Sequence, residues 1–369
     1  MRGFVIGSID ELVDHKDAWE ELRLKCRAPV FSSYDLAHLW LDNYSNTVRP
    51  QVIVVEEKGE VAAIAPLCTY KHSVSGLPVK TLTVIGNGKS IIGYSLVSIM
   101  SVGQEEALRE LARGIGRADW NLMQLFDLEP TPPVLRFLDL IKEGYHWQPY
   151  EETNNIYYEF PREGRIDASF GRHTGKVLRG VRRRLESEHR LQFRILEDPN
   201  EAERAMRTYV DQHVQRWERK GGSMFREERN ARMLVRMAKL LTARRQAVIC
   251  EVLIDGEVAG QSFAIFDGEV VRGYRLGMDD KYADYSPGKL AMVAAMEESR
   301  ARGYKGMDLL RGKEDYKMHM MTHERTLPAI QAHQGSLLLM SRISRQPLVR
   351  RLDQRLQVRD RLLRGVYRG

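Results

Sequence analysis

Apolar runs separated by short polar turns predict an antiparallel meander in the second half of the chain. Two Asp-Gly pairs, at 255–256 and 267–268, separate three runs rich in apolar and β-branched residues. Asp-Gly between such runs is typical of a tight hairpin turn. The predicted strands are Ala247–Ile254, Glu257–Phe266 and Glu269–Met278.

A helix and a fourth strand are predicted after the meander. The loop Asp279–Tyr285 leads to a helix that begins at Ser286-Pro287-Gly288-Lys289 and runs to about Arg302, and Gly306–Leu310 is the next strand. A strand–helix–strand crossover is normally right-handed and makes its two strands parallel. Further helices are predicted before the meander, at Gly175–Glu188, from Asp198 to about Lys220, and at Asn230–Arg244.

The first half shows the same order of elements. Its predicted strands are Gln51–Glu57, Val61–Thr69, Val79–Ile85, Ser95–Ser101 and Asn121–Asp127, and its predicted helices are Glu105–Arg117 and Val134–Glu143. The segment Gly144–Arg165, rich in Asn, Gly and Pro, is the predicted domain boundary. The pattern therefore predicts an α/β (α+β) chain of two domains, 1–155 and 156–335, each with a mixed, mostly antiparallel sheet flanked by helices.

Composition narrows the class of protein. With 43% hydrophobic residues each half can bury a core, and no run of 18 apolar residues predicts a membrane span. The N-terminus lacks the pattern of a signal peptide. The three cysteines follow no disulfide or zinc spacing, so a reducing cytoplasm is the predicted location.

Charge is concentrated at the C-terminus. Residues 341–369 hold nine Arg and two Asp, and this net charge of +7 equals that of the whole chain. A neutral body argues against a general nucleic-acid-binding surface, so no specific nucleic-acid partner is expected. Residues 336–369 are predicted to hold a basic amphipathic helix, Leu348–Val366, which either packs on the body or makes a peripheral, salt-sensitive contact with an anionic membrane through 341–369.

A second basic run, Arg172–Arg190, carries seven Lys or Arg against two Glu. The solvated face of an amphipathic helix explains such a run. An acidic glycan, the phosphates of coenzyme A or RNA are the functional alternatives.

The start of the predicted 286–302 helix has the features of a phosphate site. Unpaired backbone N–H groups and the helix dipole attract anions at a helix N-terminus. Gly288 permits close approach of a phosphate, and Lys289 adds positive charge. Pro287 has no backbone N–H, so no donor is left unpaired at the first helical position. An ordinary helix start is the alternative reading.

Several motifs of the chain resemble one family. Three antiparallel strands, a helix and a parallel strand form the core order of GNAT acetyltransferases, and the chain resembles their CelD-type (cellulose-biosynthesis) members, which are related to the FemABX peptidyltransferases. The motifs that carry the likeness are Lys176-Val177-Leu178-Arg179, Arg182-Arg183-Arg184-Leu185-Glu186, Gln215-Arg216-Trp217, Asp255-Gly256-Glu257-Val258-Ala259-Gly260, Tyr274-Arg275-Leu276-Gly277, Tyr282-Ala283-Asp284-Tyr285-Ser286-Pro287-Gly288, Arg311-Gly312-Lys313-Glu314-Asp315-Tyr316-Lys317 and, near the N-terminus, Pro29–Tyr34 with Trp40. The resemblance implies tandem GNAT-like domains and acetyl-CoA or another acyl-CoA as donor.

The resemblance also implies roles for individual residues. Tyr316 is a candidate general acid for the departing thiolate, and Glu314 and Asp315 are candidate bases, although charges in a solvated loop are the alternative. The residues implied to bind acyl-CoA are Leu276, Gly277, Ser286, Pro287, Gly288, Lys289 and Leu290. Asp279 and Asp280 are weaker candidate bases that could instead cap a turn. His319 stands where the family usually has an aromatic residue.

The predicted function is transfer of an acetyl or other acyl group from acyl-CoA to an amine or hydroxyl of a small-molecule or glycan acceptor, in polysaccharide or cell-envelope metabolism. The first half, whose helix starts with acids at Val102–Glu106, is predicted to be a degenerate GNAT domain that shapes the acceptor cleft. His319 and His323 have no third partner, so no metal is predicted. The alternatives are a FemABX-like transferase that uses aminoacyl-tRNA and a non-catalytic component of a polysaccharide-synthesis complex.

Overall fold

Helices and strands make up most of the chain that the computed structural model describes, residues 1–74, 77–88, 92–94, 96–150, 152–218 and 221–334. The strands are β1 (Arg2–Ile6), β2 (Val48–Pro50), β3 (Val52–Glu57), β4 (Glu60–Ala65), β5 (Leu67–Val74), β6 (Leu77–Val84), β7 (Met100–Ser101), β8 (Leu122–Leu125), β9 (His146–Pro149), β10 (Thr153–Glu159), β11 (Leu191–Leu196), β12 (Ala247–Ile254), β13 (Glu257–Asp267), β14 (Val270–Met278), β15 (Gly306–Arg311), β16 (His323–Leu327) and β17 (Ile330–His333). The helices are α1 (Ile9–Val13), α2 (Lys16–Lys25), α3 (Tyr34–Asn43), α4 (Glu105–Ile115), α5 (Pro132–Gly144), α6 (Arg172–Glu188), α7 (Pro199–Trp217), α8 (Glu228–Ala243), α9 (Pro287–Ala301) and α10 (Asp315–Met318).

The predicted meander is confirmed as the centre of a seven-stranded sheet. Its strand order is β11-β12-β13-β14-β15-β10-β16, and β12, β13 and β14 pair antiparallel. At the first hairpin turn Asp255 and Gly256 both have positive φ, 53° and 89°. That backbone matches the right-handed twist of the flanking strands, which explains the Asp-Gly signal.

The two faces of this sheet bury different helices. Apolar side chains of α9 pack with Val248 and Ala264 on one face. Side chains of α7 and α8 pack with Ile249 and Phe263 on the other, in a core that continues into the first half of the chain. The first half is therefore packed against the α7–α8 side of the second.

The crossover through α9 makes β14 and β15 parallel, as predicted. The two strands pair only from Val270 opposite Gly306 to Arg272 opposite Asp308. Beyond Arg272 they separate, which opens a gap in the sheet.

The first half repeats this arrangement with differences from the predicted strands. β5 and β6 form an antiparallel hairpin, and β8 pairs parallel with β6 after the crossover through α4. Pro66 divides the predicted strand Val61–Thr69 between two sheets, because proline lacks the N–H that a ladder requires. Thus β4 belongs to the sheet β1-β3-β4-β7, and β5 belongs to the sheet β2-β5-β6-β8-β17-β9.

The predicted strand Ser95–Ser101 is wrong for most of its length, since only Met100–Ser101 forms a strand, β7. The rest of this segment forms backbone hydrogen bonds with the residues that come after β8 in the sequence. The Leu96 amide donates to the Asp127 carbonyl, and Val97 forms an isolated bridge with Leu128. Burial in the interior, rather than membership of a sheet, accounts for the apolar character of this segment.

Two strands cross between the halves of the chain. β10 lies between β15 and β16 in the seven-stranded sheet, and β17 lies between β8 and β9 in the sheet of the first half. The predicted boundaries at 155 and 335 therefore leave the start of β10 in the first segment and β17 in the second. Each of these two sheets therefore includes residues that the predicted boundaries assign to the other domain.

The halves are also joined by buried hydrogen bonds. The Tyr44 hydroxyl donates to Asn230 Oδ1 at 2.8 Å, and the Tyr274 hydroxyl donates to the Gly93 carbonyl at 3.0 Å. Among the described residues, no helix is long and apolar enough to cross a membrane. The predicted basic helix Leu348–Val366 lies outside the described residues and stays a prediction.

Candidate functional site

The gap between β14 and β15 opens into a cavity of about 350 Å³ at the contact between the two halves. Both separating strands, α7, α10 and the first half contribute to its wall. The lining residues are Gly93, Tyr94, Tyr209, Met224, Gly273, Tyr274, Arg275, Leu276, Leu309, Leu310, Arg311, Glu314, Tyr316 and Lys317.

A β-bulge lies in β14 where the strands separate. Phe263 is opposite Arg275 and Ala264 is opposite Gly273, so Tyr274 has no partner on β13. The bulge turns neighbouring side chains to the same face, where the Tyr274 ring contacts Phe263 and the Arg275 guanidinium lies 4.2 Å from the Tyr274 ring centroid. Bulges reorient side chains next to active sites in this way.

Tyr316, the predicted general acid, lines this cavity from α10. Burial raises the pKa of its hydroxyl well above the ordinary value, and the nearby charge of Glu314 and the Tyr209 ring raise it further. The phenol is therefore protonated throughout the physiological range and can donate its proton.

The two predicted bases have different positions. Glu314 lines the cavity and forms an ion pair with Lys317 at 2.9 Å. Lys317 is 5% exposed and also donates to the Arg311 carbonyl at 2.7 Å. Asp315 begins α10, is exposed and does not contribute to the cavity wall, so of the two candidate bases Glu314 is the one at the cavity.

The predicted phosphate-binding turn lies at the first residues of α9, on the edge of the gap. Ser286 adopts a left-handed conformation (φ 47°, ψ 47°), and its carbonyl accepts from the amides of Lys289 and Leu290 at 3.0 and 3.3 Å. The Leu290 bond is the ordinary first bond of the helix, and the Lys289 bond leaves the Gly288 amide as the N–H group of this turn without a backbone partner among the described residues. Lys289 is half-buried, whereas Pro287, Gly288 and Leu290 are buried.

Glycine at 288 has a packing role that the sequence did not reveal. A Cβ there would lie 2.8 Å from the Gly277 carbonyl oxygen and 3.7 Å from Leu276. A Cβ at Gly260 would lie 2.4 Å from the Pro287 carbonyl carbon, and one at Gly277 would lie 2.6 Å from the Tyr209 ring. The start of α9 is thus held directly against β13 and β14, and Leu276 connects it to the cavity.

The weaker candidates lie elsewhere. Asp279 caps a turn by accepting from the Lys281 amide at 2.8 Å, and Asp280 lies 3.4 Å from Arg216. His319 follows α10 while His323 begins β16, so they do not share a helix face. Within the described ranges, no group of His, Cys, Asp or Glu could hold a metal ion.

Two arginines of the site were not assigned a role from sequence, although both stand in the quoted motifs. Arg311 lines the cavity and donates at 2.6 Å to Asp127, a buried carboxylate from the first half. Arg275 also lines the cavity. For Arg275, the sequence did hold one signal: β14 is otherwise largely apolar but contains two arginines, Arg272 and Arg275.

The other arginine of β14 supports the sheet below the gap. Arg272 is 5% exposed and donates to Asp308 at 2.6 Å and to Asp267 at 2.9 Å. Asp308 also accepts from the Asn155 side chain at 3.0 Å. This network ties β14, β15 and β10 together at the point where β14 and β15 begin to separate.

The lining residues other than Gly93 and Tyr94 lie in a stretch of the chain that resembles a known domain. The family model of the acetyltransferase (GNAT) domain matches residues 172–318, which include α6 to α10 and the separated strands. This part of the chain therefore matches the GNAT acetyltransferase domain. With the repeated strand–helix–parallel strand order of the first half, the chain consists of tandem GNAT-like domains.

Solved structures show the same fold over most of the chain. A FemX structure is 12% identical, with a TM-score of 0.58, and the match covers 90% of this chain and 97% of that one. A conserved protein of unknown function from Bacteroides thetaiotaomicron is 9% identical, with a TM-score of 0.54 and coverage of 90% and 100%. The C-terminal domain of a protein assigned as a lysylphosphatidylglycerol synthetase from Agrobacterium fabrum is 12% identical, with a TM-score of 0.50 and coverage of 92% and 97%.

These likenesses support the relation to FemX-type folds, whereas the closer likeness to CelD-type proteins stays a prediction. No curated protein matches the sequence.

Proposed function

We propose that this protein is an acyltransferase that binds acyl-CoA at the gap between β14 and β15 and transfers the acyl group to an amine or hydroxyl acceptor. The observation that carries the proposal is the coincidence of the strand separation, the β-bulge at Tyr274 and the protonated Tyr316 at one cavity. The GNAT domain match over the same residues supports it.

The proposed donor path runs along the edge of the gap. The pyrophosphate of coenzyme A lies at the first turn of α9, where Lys289 supplies positive charge and the helix dipole favours an anion. The thioester arm passes Gly277 and Leu276, and the acyl group reaches the cavity beside Tyr274 and Tyr316. The close packing of α9 on β14 holds the two ends of this path in a fixed relation.

The proposed chemistry is direct transfer. The acceptor nitrogen or oxygen attacks the thioester carbonyl carbon, and its proton passes to Glu314, directly or through water. When the carbon–sulfur bond breaks, sulfur leaves with the electron pair and takes the proton of Tyr316, giving free coenzyme A. The tyrosine regains a proton from Glu314 or solvent, so the enzyme returns to its starting state.

Calorimetry with acetyl-CoA tests the donor assignment. The test uses Lys289→Glu, which reverses the charge at the half-buried helix start. A charged side chain at Gly288 would instead clash with β14 and disturb the packing. We expect acetyl-CoA affinity to fall by at least about tenfold, since two units of charge change beside the pyrophosphate. Lys305→Glu, which makes the same change at an exposed site near the far end of α9, is the matched control and leaves affinity unchanged.

The results separate the possibilities clearly. Unchanged affinity in Lys289→Glu would move the pyrophosphate away from α9. Absence of acetyl-CoA binding by the unmodified protein would reject the donor class altogether.

A second candidate donor is aminoacyl-tRNA. One observation favours it: α6 presents a basic face beside Arg179, Arg182 and Arg184. On that face Lys176 and Arg183 are exposed and form no ion pair with another described residue. Gel-shift titration with charged and uncharged tRNA distinguishes the candidates, because the acyl-CoA proposal expects no preference for the charged form. We further propose a glycan or other cell-envelope acceptor, which follows from the predicted family relation, and a cytoplasmic location, which follows from the cysteine pattern.

A further inference from the structure

We infer that Arg275 binds an anionic group of the acceptor, so that the acceptor carries a carboxylate or phosphate near its nucleophile. This inference rests on the proposed function and specifies its acceptor class. The shared chemistry is an oxyanion that can take two or more hydrogen bonds from a guanidinium.

The first observation concerns the contacts of the Arg275 side chain. Its hydrogen bonds go to Tyr274 alone, to the carbonyl at 3.2 Å and to the hydroxyl at 3.4 Å, and the guanidinium stacks on the same ring. Its Nε atom is buried and has no hydrogen-bond partner among the described residues. Stacking on an aromatic ring orients a guanidinium but leaves its charge uncompensated.

The second observation concerns the other charges of the cavity. Arg275, Arg311, Lys317 and Glu314 are its charged lining residues. Arg311 is paired with Asp127, and Lys317 is paired with Glu314. Within the described ranges Arg275 has no carboxylate within salt-bridge distance, and residues 89–91 and 95, next in sequence to Gly93 and Tyr94, are Lys, Ser, Ile and Ser. A half-buried arginine loses hydration, and its neutral contacts to Tyr274 do not replace the counter-ion that a bound anion would supply.

The third observation assigns that anion to the acceptor rather than to the donor. Arg275 shares a face of the sheet with Phe263 and Tyr274, which pack towards α7 and the first half. The start of α9 lies with Leu276 on the opposite face. The donor pyrophosphate, placed at α9, is therefore separated from Arg275 by the sheet, and the two anionic groups would approach the gap from opposite sides.

The surroundings of Arg275 keep competing positive charge low. Burial, together with the nearby charges of Arg275 and Arg216, lowers the pKa of His213 to about 4. His213 is therefore neutral at pH 7, and Arg216 lies beside Asp280. Arg275 is left as the uncompensated cation on this wall of the cavity.

Binding of matched pairs of small amines tests the inference without any donor. The first pair is lysine and 1,5-diaminopentane, which differ by one carboxylate, and the second is glucosamine 6-phosphate and glucosamine, which differ by one phosphate. Calorimetry with the full chain is expected to show roughly 10- to 100-fold tighter binding of the anionic member in at least one pair, the range for hydrogen bonds to a charged group. The pair that shows the preference identifies the oxyanion as carboxylate or phosphate.

Three variants complete the experiment. Arg275→Gln is expected to abolish the preference, Arg275→Lys to retain part of it, and Arg204→Gln, which removes an exposed charge from the same sheet face on α7, to leave it intact. Equal binding of both members by the unmodified protein, binding of neither, or an undiminished preference in Arg275→Gln would overturn the inference. Because acetyl-CoA is absent, a failed donor assignment would leave these results unaffected and would be recognised separately.

Discussion

Tyr316 illustrates how position gives a common side chain a particular chemical capacity. The residue lies on a short helix beside a parallel strand pair that has separated, and burial among Tyr209 and neighbouring groups keeps its hydroxyl protonated. Arg275 lines the same cavity from β14. In the proposed reaction Tyr316 supplies a proton and Arg275 attracts the anionic group of the acceptor, so the same cavity would serve both substrates.

Replacing Tyr316 with phenylalanine should lower turnover by roughly 100-fold with little change in acetyl-CoA affinity, because only the proton donor is removed. Steady-state rates and calorimetry on the same preparation measure the two effects. Tyr304→Phe removes a hydroxyl at a site outside the cavity and serves as the control.

The direction of the pKa shift adds a pH criterion. Because the pKa of Tyr316 is raised above its usual value near 10, ionisation of this group should cause no loss of rate at any pH below 10. Full activity in Tyr316→Phe would show that water or another side chain protonates the thiolate.

Among the elements, α9 connects the proposed donor site to the sheet through glycines. Gly260, Gly277 and Gly288 allow backbone atoms of the helix and of β13 and β14 to meet without intervening side chains. The start of α9 is therefore positioned by direct contact with the strands that form the gap, which is how an anion site at a helix terminus can be held in register with a cavity.

Gly260→Ala should destabilise the protein by about 1–3 kcal/mol, since the new methyl group would lie 2.4–2.7 Å from backbone atoms of Pro287 and Gly288 that cannot move independently. Gly180→Ala is the contrasting control. Gly180 is in the interior of α6 with open space around its Cβ position, so alanine there should stabilise by roughly 0.5–1 kcal/mol. Urea unfolding of both variants measures the difference, and equal free energies of unfolding would contradict the packing role.

The sequence predicted elements whose signals are local and missed those that depend on long-range contacts. Asp255-Gly256 and the Pro287-Gly288 helix start define their turns within a few residues, and the structure has the meander and the crossover through α9 as predicted. Short strands such as β17 have no distinctive periodicity, because their stability comes from the strands on either side. In the site, the position of Tyr316 at the cavity was reached through the family likeness, whereas the lack of a counter-ion for Arg275 could be recognised only once its neighbours were known.

For the whole molecule, the exchanged strands make the two halves interdependent. β17 lies between β8 and β9, so the sheet of the first half contains a strand from the end of the described chain. The hydrophobic core likewise runs from the first half into the α7–α8 layer. Despite two GNAT-like domains, folding should be a single cooperative event.

Fragments cut between β9 and β10 should demonstrate this interdependence. Residues 1–151 expressed alone should be insoluble or poorly folded, because β8 and β9 each lose a partner strand, while co-expression with 152–369 should recover a soluble complex. Circular dichroism and tryptophan fluorescence of the intact chain should give coincident unfolding transitions. A soluble 1–151 with a native-like spectrum, or two separate transitions, would show that the halves fold independently.

The position of β17 also has a consequence during protein synthesis. The ribosome completes β9 at Pro149 but does not reach the end of β17 at His333 until 184 residues later. At ordinary rates of elongation this interval lasts roughly 10–40 s. Throughout that time the nascent first half has two strand edges awaiting a segment that has not yet been translated, and a holding chaperone or slow early folding would protect them from pairing with other chains.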